Sequence, residues 1–244
     1  MVSKSQIKLI TSLEQKKHRT KNGLFIVEGK KGIEEVLDSH FELHSLYTKE
    51  DIFEAPKDKT QLISEAELKK ISNLKSTQIA LALFKIPHFS GIDLEGLIVA
   101  LDGVRDPGNL GTIIRLCDWF GVSTLICSKD TVDCFNPKVV QATMGSITRV
   151  NIHYLDLELF LKENNSKVNY GAFLEGENLY SASLASDAIL VLGNEANGIS
   201  EAVEKLISKK INIPQFSQNN KTESLNVATA TAILLSEFRR KENY

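Results

Sequence analysis

Three short stretches carry the side chains whose types and spacing could do chemistry. In LDGVRDPGNLGTIIR (101–115), Asn109 precedes Arg115 by six residues. An asparagine there can cap a helix and an arginine on a helix surface can be a solvated charge, so either alone has an ordinary structural explanation. In AILVLGNEANGIS (188–200), Glu195 lies between Gly193 and Gly198, which let the backbone turn sharply or approach a ligand closely. A carboxylate held there at the end of an apolar strand is more than a turn requires. In INIPQFSQNNKTESLNVATATAILL (211–235), Ser224 and Asn226 flank Leu225. One of the two can cap the following helix; a helix start does not need both, and the pair could hold a polar substrate.

The elements that must position these residues alternate along the chain. From residue 97 the pattern predicts strand LIVALDG, a helix over 109–120, strand STLIC, a helix over 137–145 and strand RVNIHYL. A helix over 156–164, strands YGAFLE and AILVLG, a helix over 199–209, strand INIPQ and a final helix over 224–241 complete it. Such alternation implies a mostly parallel sheet with helices on both sides, whose ligands bind beyond the carboxyl ends of the strands. All three stretches begin at such an end. Asn109 is the predicted cap of its helix, and Leu110, Ile113, Ile114 and Cys117 form the core stripe that leaves Arg115 outside it.

Residues 1–90 read as a smaller α/β domain. A helix over 5–17, the polar turn RTKNG, strand LFIVEG, helix KKGIEEVLDS, strand ELHSLYT, helix SEAELKKISN capped by Ser64, and strand IALALFK follow one another. Residues 91–96 are the expected linker, and 97–244 the second domain.

Composition excludes several classes. With 42% hydrophobic and 25% charged residues the chain matches soluble globular proteins. No apolar run is long enough to span a membrane or make a signal peptide, so a cytoplasmic protein with no membrane association is expected. Cys117, Cys127 and Cys134 suit neither a disulfide framework nor a zinc site, and no metal is signalled. The glycine-bearing loops are neither a P-loop nor a dinucleotide fingerprint, which argues against a nucleotide-dependent dehydrogenase. Net charge is −2, yet residues 1–31 hold eight Lys or Arg against two acids. This basic end could be a phosphate-binding patch or an ordinary solvated helix face, and Lys16, Lys17, Arg19 and Lys30 are the candidate contacts, to RNA if the resemblance below holds.

Taken together, NLGTIIR, GNEANGIS and SLNVATATAILL after INIP resemble the three ordered motifs of the SpoU/TrmH-type RNA 2′-O-ribose methyltransferases of the SPOUT class. The first half, including FIVEGKKGIEEVL, is similar to the small substrate-binding domain often fused ahead of that enzyme. The resemblance implies an α/β fold, with a SPOUT-type domain of mostly parallel sheet and a C-terminal trefoil knot behind the small domain. It further implies S-adenosylmethionine as donor, a homodimer, and RNA as substrate, with ribosomal RNA preferred. A tRNA substrate, or an RNA-binding protein without catalysis, are the alternatives. By resemblance Asn109, Arg115, Glu195, Ser224 and Asn226 are catalytic. Arg115 stands at the attacking hydroxyl as base or stabiliser, and Glu195 is a candidate partner for it. The donor is held mainly through backbone at Leu192, Gly193, Asn194, Gly198, Ile213 and Leu225. The chain departs from the pattern at Gln215, where Met is usual, and in a longer loop over 215–223 that lacks glycine.

Overall fold

The computed structural model describes the chain except residues 75, 77, 89, 90, 218–223 and 241–244. Two compact units divide it: Met1–His88 with Asp133–Thr148, and Phe89–Val132 with Arg149–Tyr244.

In the first unit, α1 (Lys4–Ser12) opens on a capping box, Ser3 accepting from the Gln6 N–H while the Gln6 side chain accepts from Ser3 N–H. The single helix expected over 5–17 is two. Lys16–Asn22 forms α2, closed by Gly23 at φ +63°, whose N–H donates to the Arg19 carbonyl at 2.7 Å. RTKNG is thus a helix end with a left-handed glycine, where a polar turn was expected. The sheet runs β1 (Leu24–Glu28), β4 (Ala80–Lys85), β2 (Leu43–Thr48) and β3 (Thr60–Leu62), antiparallel except for the parallel β2–β3 pair. α3 (Lys30–Leu37) and α4 (Glu65–Ile71) complete its coding between strands, α4 with the expected Ser64–Glu67 capping box.

Every residue of β1 is buried because both of its faces are covered. Leu24 and Ile26 pack with Ile10, Leu13, Leu68 and Ile71 from α1 and α4. The opposite face carries Phe25, whose ring lies 5.9 Å from Phe41, 6.0 Å from Phe84 and 4.8 Å from Phe135. Phe135 and α6 (Pro137–Thr143) arrive from far along the chain, so this unit is not one continuous stretch.

Arg19 explains how that segment is held, and it corrects an expectation. The side chain is 2% exposed. Its Nε and Nη2 donate to Asp133 Oδ2 at 2.9 and 2.5 Å, and Nη1 donates to the carbonyls of Leu13 and Glu14 at 2.8 Å each. A guanidinium fully engaged inside the protein cannot grip an RNA phosphate, so Arg19 is a structural residue. Lys16, Lys17 and Lys30 remain at the surface.

The second unit is built on six parallel strands in the order β10-β8-β9-β5-β6-β7. They are β5 (Leu97–Asp102), β6 (Thr124–Ser128), β7 (Asn151–Leu155), β8 (Val168–Asn178), β9 (Ala188–Gly193) and β10 (Lys209–Asn212). β5 and β9 lie at the centre, and their apolar runs are buried on both sides, as expected of strands covered by helices on both faces. The helices are α5 (Pro107–Trp119), α7 (Leu157–Glu163), α8 (Glu201–Glu204) and α9 (Val227–Arg240). α8 is far shorter than the helix expected over 199–209, because Val203 is its one buried residue and the Ser208 N–H already bonds the Asn169 carbonyl, leading the chain into β10. The knot expected of this end of the chain turns on the connection from β10 to α9, in which 218–223 lie outside the described residues.

Candidate active site

The loop after β5 is braced before any functional side chain is placed. Gly103 sits at φ +72°, its N–H donating to Ser128 Oγ at 2.9 Å, and Thr131 Oγ1 donates to the Leu101 carbonyl at 3.3 Å. Asp106 then caps α5, accepting from the Asn109 N–H at 2.8 Å with Pro107 at the first helical position. This corrects the expectation that Asn109 is the cap. An aspartate followed by proline satisfies the helix start on its own, which frees the Asn109 side chain.

Asn109 uses that freedom to join two other loops. Its Nδ2 donates to Glu195 Oε1 at 3.1 Å, while its Oδ1 accepts from Asn226 Nδ2 at 2.8 Å. Asn226 is the cap of α9, its Oδ1 accepting from the N–H groups of Ala228 and Thr229 at 3.0 and 3.2 Å. Glu195 also receives the N–H groups of Arg105 and Asp106, both at 3.4 Å. The starts of α5 and α9 and the turn after β9 therefore share one hydrogen-bonded chain, Asn226 to Asn109 to Glu195. A carboxylate suits the end of it, since it accepts from several donors without offering one.

The turn after β9 has room only for glycine at its start. A Cβ on Gly193 would stand 2.1 Å from the Gly198 carbonyl carbon. Asn194 and Gly198 exchange both backbone bonds at 2.9 Å, with Gly198 at φ +69°. The Asn194 side chain is spent on the loop: Nδ2 donates to the Gly103 carbonyl at 2.6 Å, and Oδ1 accepts from Ala196 and Asn197 N–H. Asp102, expected only as part of a turn-rich loop and not as a site residue, accepts from the Ser200 N–H at 2.8 Å and ties the other side of the turn to β5. Its position as the last residue of an apolar strand was the available signal.

Two expected site residues stand outside the chain of bonds. Arg115 lies on the exposed face of α5, and among the described residues it forms no ion pair with Glu195. Glu195 is engaged with Asn109 and two backbone amides instead. Ser224 is exposed, and among the described residues it is Asn226 that caps the helix. All three cysteines are buried and outside any disulfide among the described residues, and burial followed by the Asp118 charge pushes the Cys117 thiol up to about 12. It is no nucleophile at neutral pH.

The neighbouring surface suits a donor held by backbone. The ladder between β8 and β9 ends at Gly171–Val191, whereas that between β5 and β9 continues to Asp102–Gly193. Leu192 and Gly193 thus lie beyond the end of their pairing with β8, and Leu192, 1% exposed, can offer a ligand only its main chain. Ile213 is half-buried just beyond β10, while Leu225 and Phe216 are 46% and 83% exposed. These side chains offer apolar surface on which an aromatic base and a sulfonium's alkyl arms can rest. The residues present fit S-adenosylmethionine.

Comparisons with known proteins agree with this arrangement. Residues 96–236 match the SpoU rRNA Methylase family, and residues 4–82 match the MRM3-like substrate binding domain. The chain is 30% identical over 236 residues to 23S rRNA (guanosine(2553)-2′-O)-methyltransferase RlmP of Bacillus subtilis, covering 93% of each protein. A TrmH-family protein from Porphyromonas gingivalis superposes with a TM-score of 0.90 at 39% identity over 99% of both chains. An AdoMet-bound rRNA methyltransferase from Sinorhizobium meliloti does so with a TM-score of 0.86 at 28% identity, over 100% of this chain and 98% of its own. With the motif loops joined as described and a match over residues 96–236, more than half of the chain, the chain belongs to the SpoU rRNA methylase family.

Proposed function

We propose that this protein transfers a methyl group from S-adenosylmethionine to a ribose 2′-hydroxyl of ribosomal RNA, the 23S molecule being the first candidate. The observation that carries the reading is the Asn226–Asn109–Glu195 chain, which gathers three sequence-distant loops at the carboxyl edge of a parallel sheet. RlmP is named for 2′-O-methylation of 23S rRNA and the Sinorhizobium meliloti protein is an rRNA methyltransferase with AdoMet bound, which supports the substrate and the donor. The protein acts as a cytoplasmic homodimer, with residues 1–90 selecting the RNA through Lys16, Lys17 and Lys30.

When bound, S-adenosylmethionine supplies a methyl carbon attached to a positively charged sulfur. The chain would bring a 2′-oxygen into line with that carbon and sulfur, so that the O–C bond forms as the C–S bond breaks and the hydroxyl proton passes to water. Arg115 stabilises the oxygen as it gains negative charge and grips an adjacent phosphate, the part of a fixed cation with a planar fork of donors. Asn109 and Glu195 hold the loop geometry, and Ser224 offers a hydroxyl beside the ribose. Backbone at Leu192, Gly193, Gly198, Ile213 and Leu225 holds the donor.

The test is methyl transfer from labelled S-adenosylmethionine to total RNA, and to ribosomal precursor particles, from a strain deleted for the gene, read by nucleoside mass spectrometry. A 2′-O-methyl nucleoside that appears with the wild type and vanishes with Arg115→Ala, while donor binding survives, supports the reading. RNA binding without transfer to any of these substrates would replace it with a binding protein on the same fold.

A further inference from the structure

A 2′-hydroxyl in RNA has a phosphate on each side of its nucleotide, yet Arg115 supplies a cation on one flank of Asn109 only. It lies six residues further along α5, about 9 Å of helix rise. The other flank is the loop that leads into the helix. There Arg105 extends a side chain that is 68% exposed, its Nη2 3.6 Å from Asp130 Oδ2, itself 65% exposed. Asp130 follows Lys129 at the end of β6, next to β5 in the sheet. This pair borders the motif loops directly: Asp130 Oδ2 lies 3.6 Å, and Asn194 Cβ 3.9 Å, from the point where a Cβ on Gly103 would stand.

We infer that Arg105 is a second RNA phosphate contact, on the side of Asn109 opposite Arg115, and that Asp130 holds its guanidinium until RNA displaces it. The inference rests on the RNA methyltransferase reading above. An ion pair this exposed is weak and easily exchanged, whereas a phosphate offers a guanidinium the fork-shaped pairing it prefers. The position is fixed independently of the side chain. Arg105 donates its backbone N–H to Glu195 at 3.4 Å, and the loop behind it is braced through Gly103 and Ser128. Truncating the side chain therefore removes the charge and leaves the framework of the site. Because the chain as a whole carries a net charge of −2, cations at this edge matter to a polyanion in a way that overall charge does not. Arg105 and Asp130 oppose each other in this role, so their variants must move RNA affinity in opposite directions.

The experiment uses the full-length protein with deproteinised 23S rRNA, measuring binding by gel shift and turnover by labelled methyl transfer across a salt series. Arg105→Ala is expected to raise the RNA dissociation constant and KM about three- to tenfold, with kcat within about twofold of the wild type. It should also reduce the slope of log K against log salt by about 0.7 to 0.9, the loss of one phosphate contact. Arg105→Lys should recover most of that slope, and Asp130→Asn should tighten binding. An unchanged salt slope in Arg105→Ala would overturn the inference. So would weakened binding in Asp130→Asn, which would make the pair a brace for the loop. A wild type that binds RNA and methylates none overturns the function reading, and the salt slope, which needs no turnover, still decides Arg105.

Discussion

Asn109 shows how much chemistry can turn on which of two neighbouring residues does the structural work. The sequence pattern places an asparagine at a helix start and so suggests a cap. The three residues DPG ahead of it let Asp106 take that task, and Asn109 becomes the middle of a bond chain between α9 and the β9 turn. Its importance to the site was legible from its place after a strand; its partners were not, because hydrogen bonds spanning more than 80 residues leave no local signature. If Asn109 and Asn226 act as a unit, their alanine variants should not be additive. A double-mutant cycle on kcat/KM for methyl transfer is expected to give a coupling of about 1 kcal/mol; additive losses would separate them. Glu195 was legible as a residue with a task, but its expected partner Arg115 was not the one found, since several nearby amide donors already satisfy a carboxylate. Cys117 makes a simpler forecast. With its thiol pushed up to about 12 and fully enclosed, it should resist an aromatic disulfide reagent in the native protein and react on unfolding.

Among the elements, strands and long helices were readable because apolar runs and stripes report burial on both sheet faces directly. β5, β9 and α5 fall where the pattern puts them. Short helices were less so: α2 was hidden in a polar stretch, since its decisive residue is a buried arginine that composition assigns to the surface. Arg19 also supplies an element-level test. Asp133→Ala would leave its guanidinium without its carboxylate in the interior, which should cost about 3–5 kcal/mol in denaturant unfolding. Exchange of both residues for apolar ones of similar volume should cost far less. A small effect of Asp133→Ala alone would show that the two backbone carbonyls satisfy Arg19 without it. At the start of α5, Asp106→Ala should lose about 1 kcal/mol of stability from the missing cap. It should also lower methyl transfer, because Asn109 would then have to choose between capping the helix and reaching Glu195.

At the scale of the whole molecule, stability should carry the mark of one buried acid. Glu28, 7% exposed, accepts from Ser72 Oγ at 2.5 Å and Asn73 N–H at 2.9 Å. Burial raises its pKa, and those two bonds only partly oppose the shift. A carboxyl that holds its proton more tightly when folded stabilises most below its unfolded pKa, and that contribution fades as pH rises through the folded value. Glu28→Gln removes this titration while keeping the shape, so its stability relative to the wild type should climb with pH. Thermal midpoints between about pH 4 and about pH 8 would show it; a constant difference would mean Glu28 does not titrate in this range. The expectation of two domains, with 1–90 as one continuous stretch, was readable from the alternation of elements and the turn-rich stretch near residue 90. The return of Asp133–Thr148 to the first unit was not, because nothing in a helix-forming segment names the sheet it will cover.

That return sets an order of events during synthesis. When residue 88 leaves the ribosome, Phe25 and its face of β1 still lack the Asp133–Thr148 segment with Phe135 and α6, which is complete 60 residues later. At about 5–20 residues per second the wait is roughly 3–12 s. During it the amino-terminal sheet is a nascent chain with one apolar side open, a natural client for a ribosome-associated chaperone. A gene fragment ending at the apparent domain boundary would freeze that interval permanently.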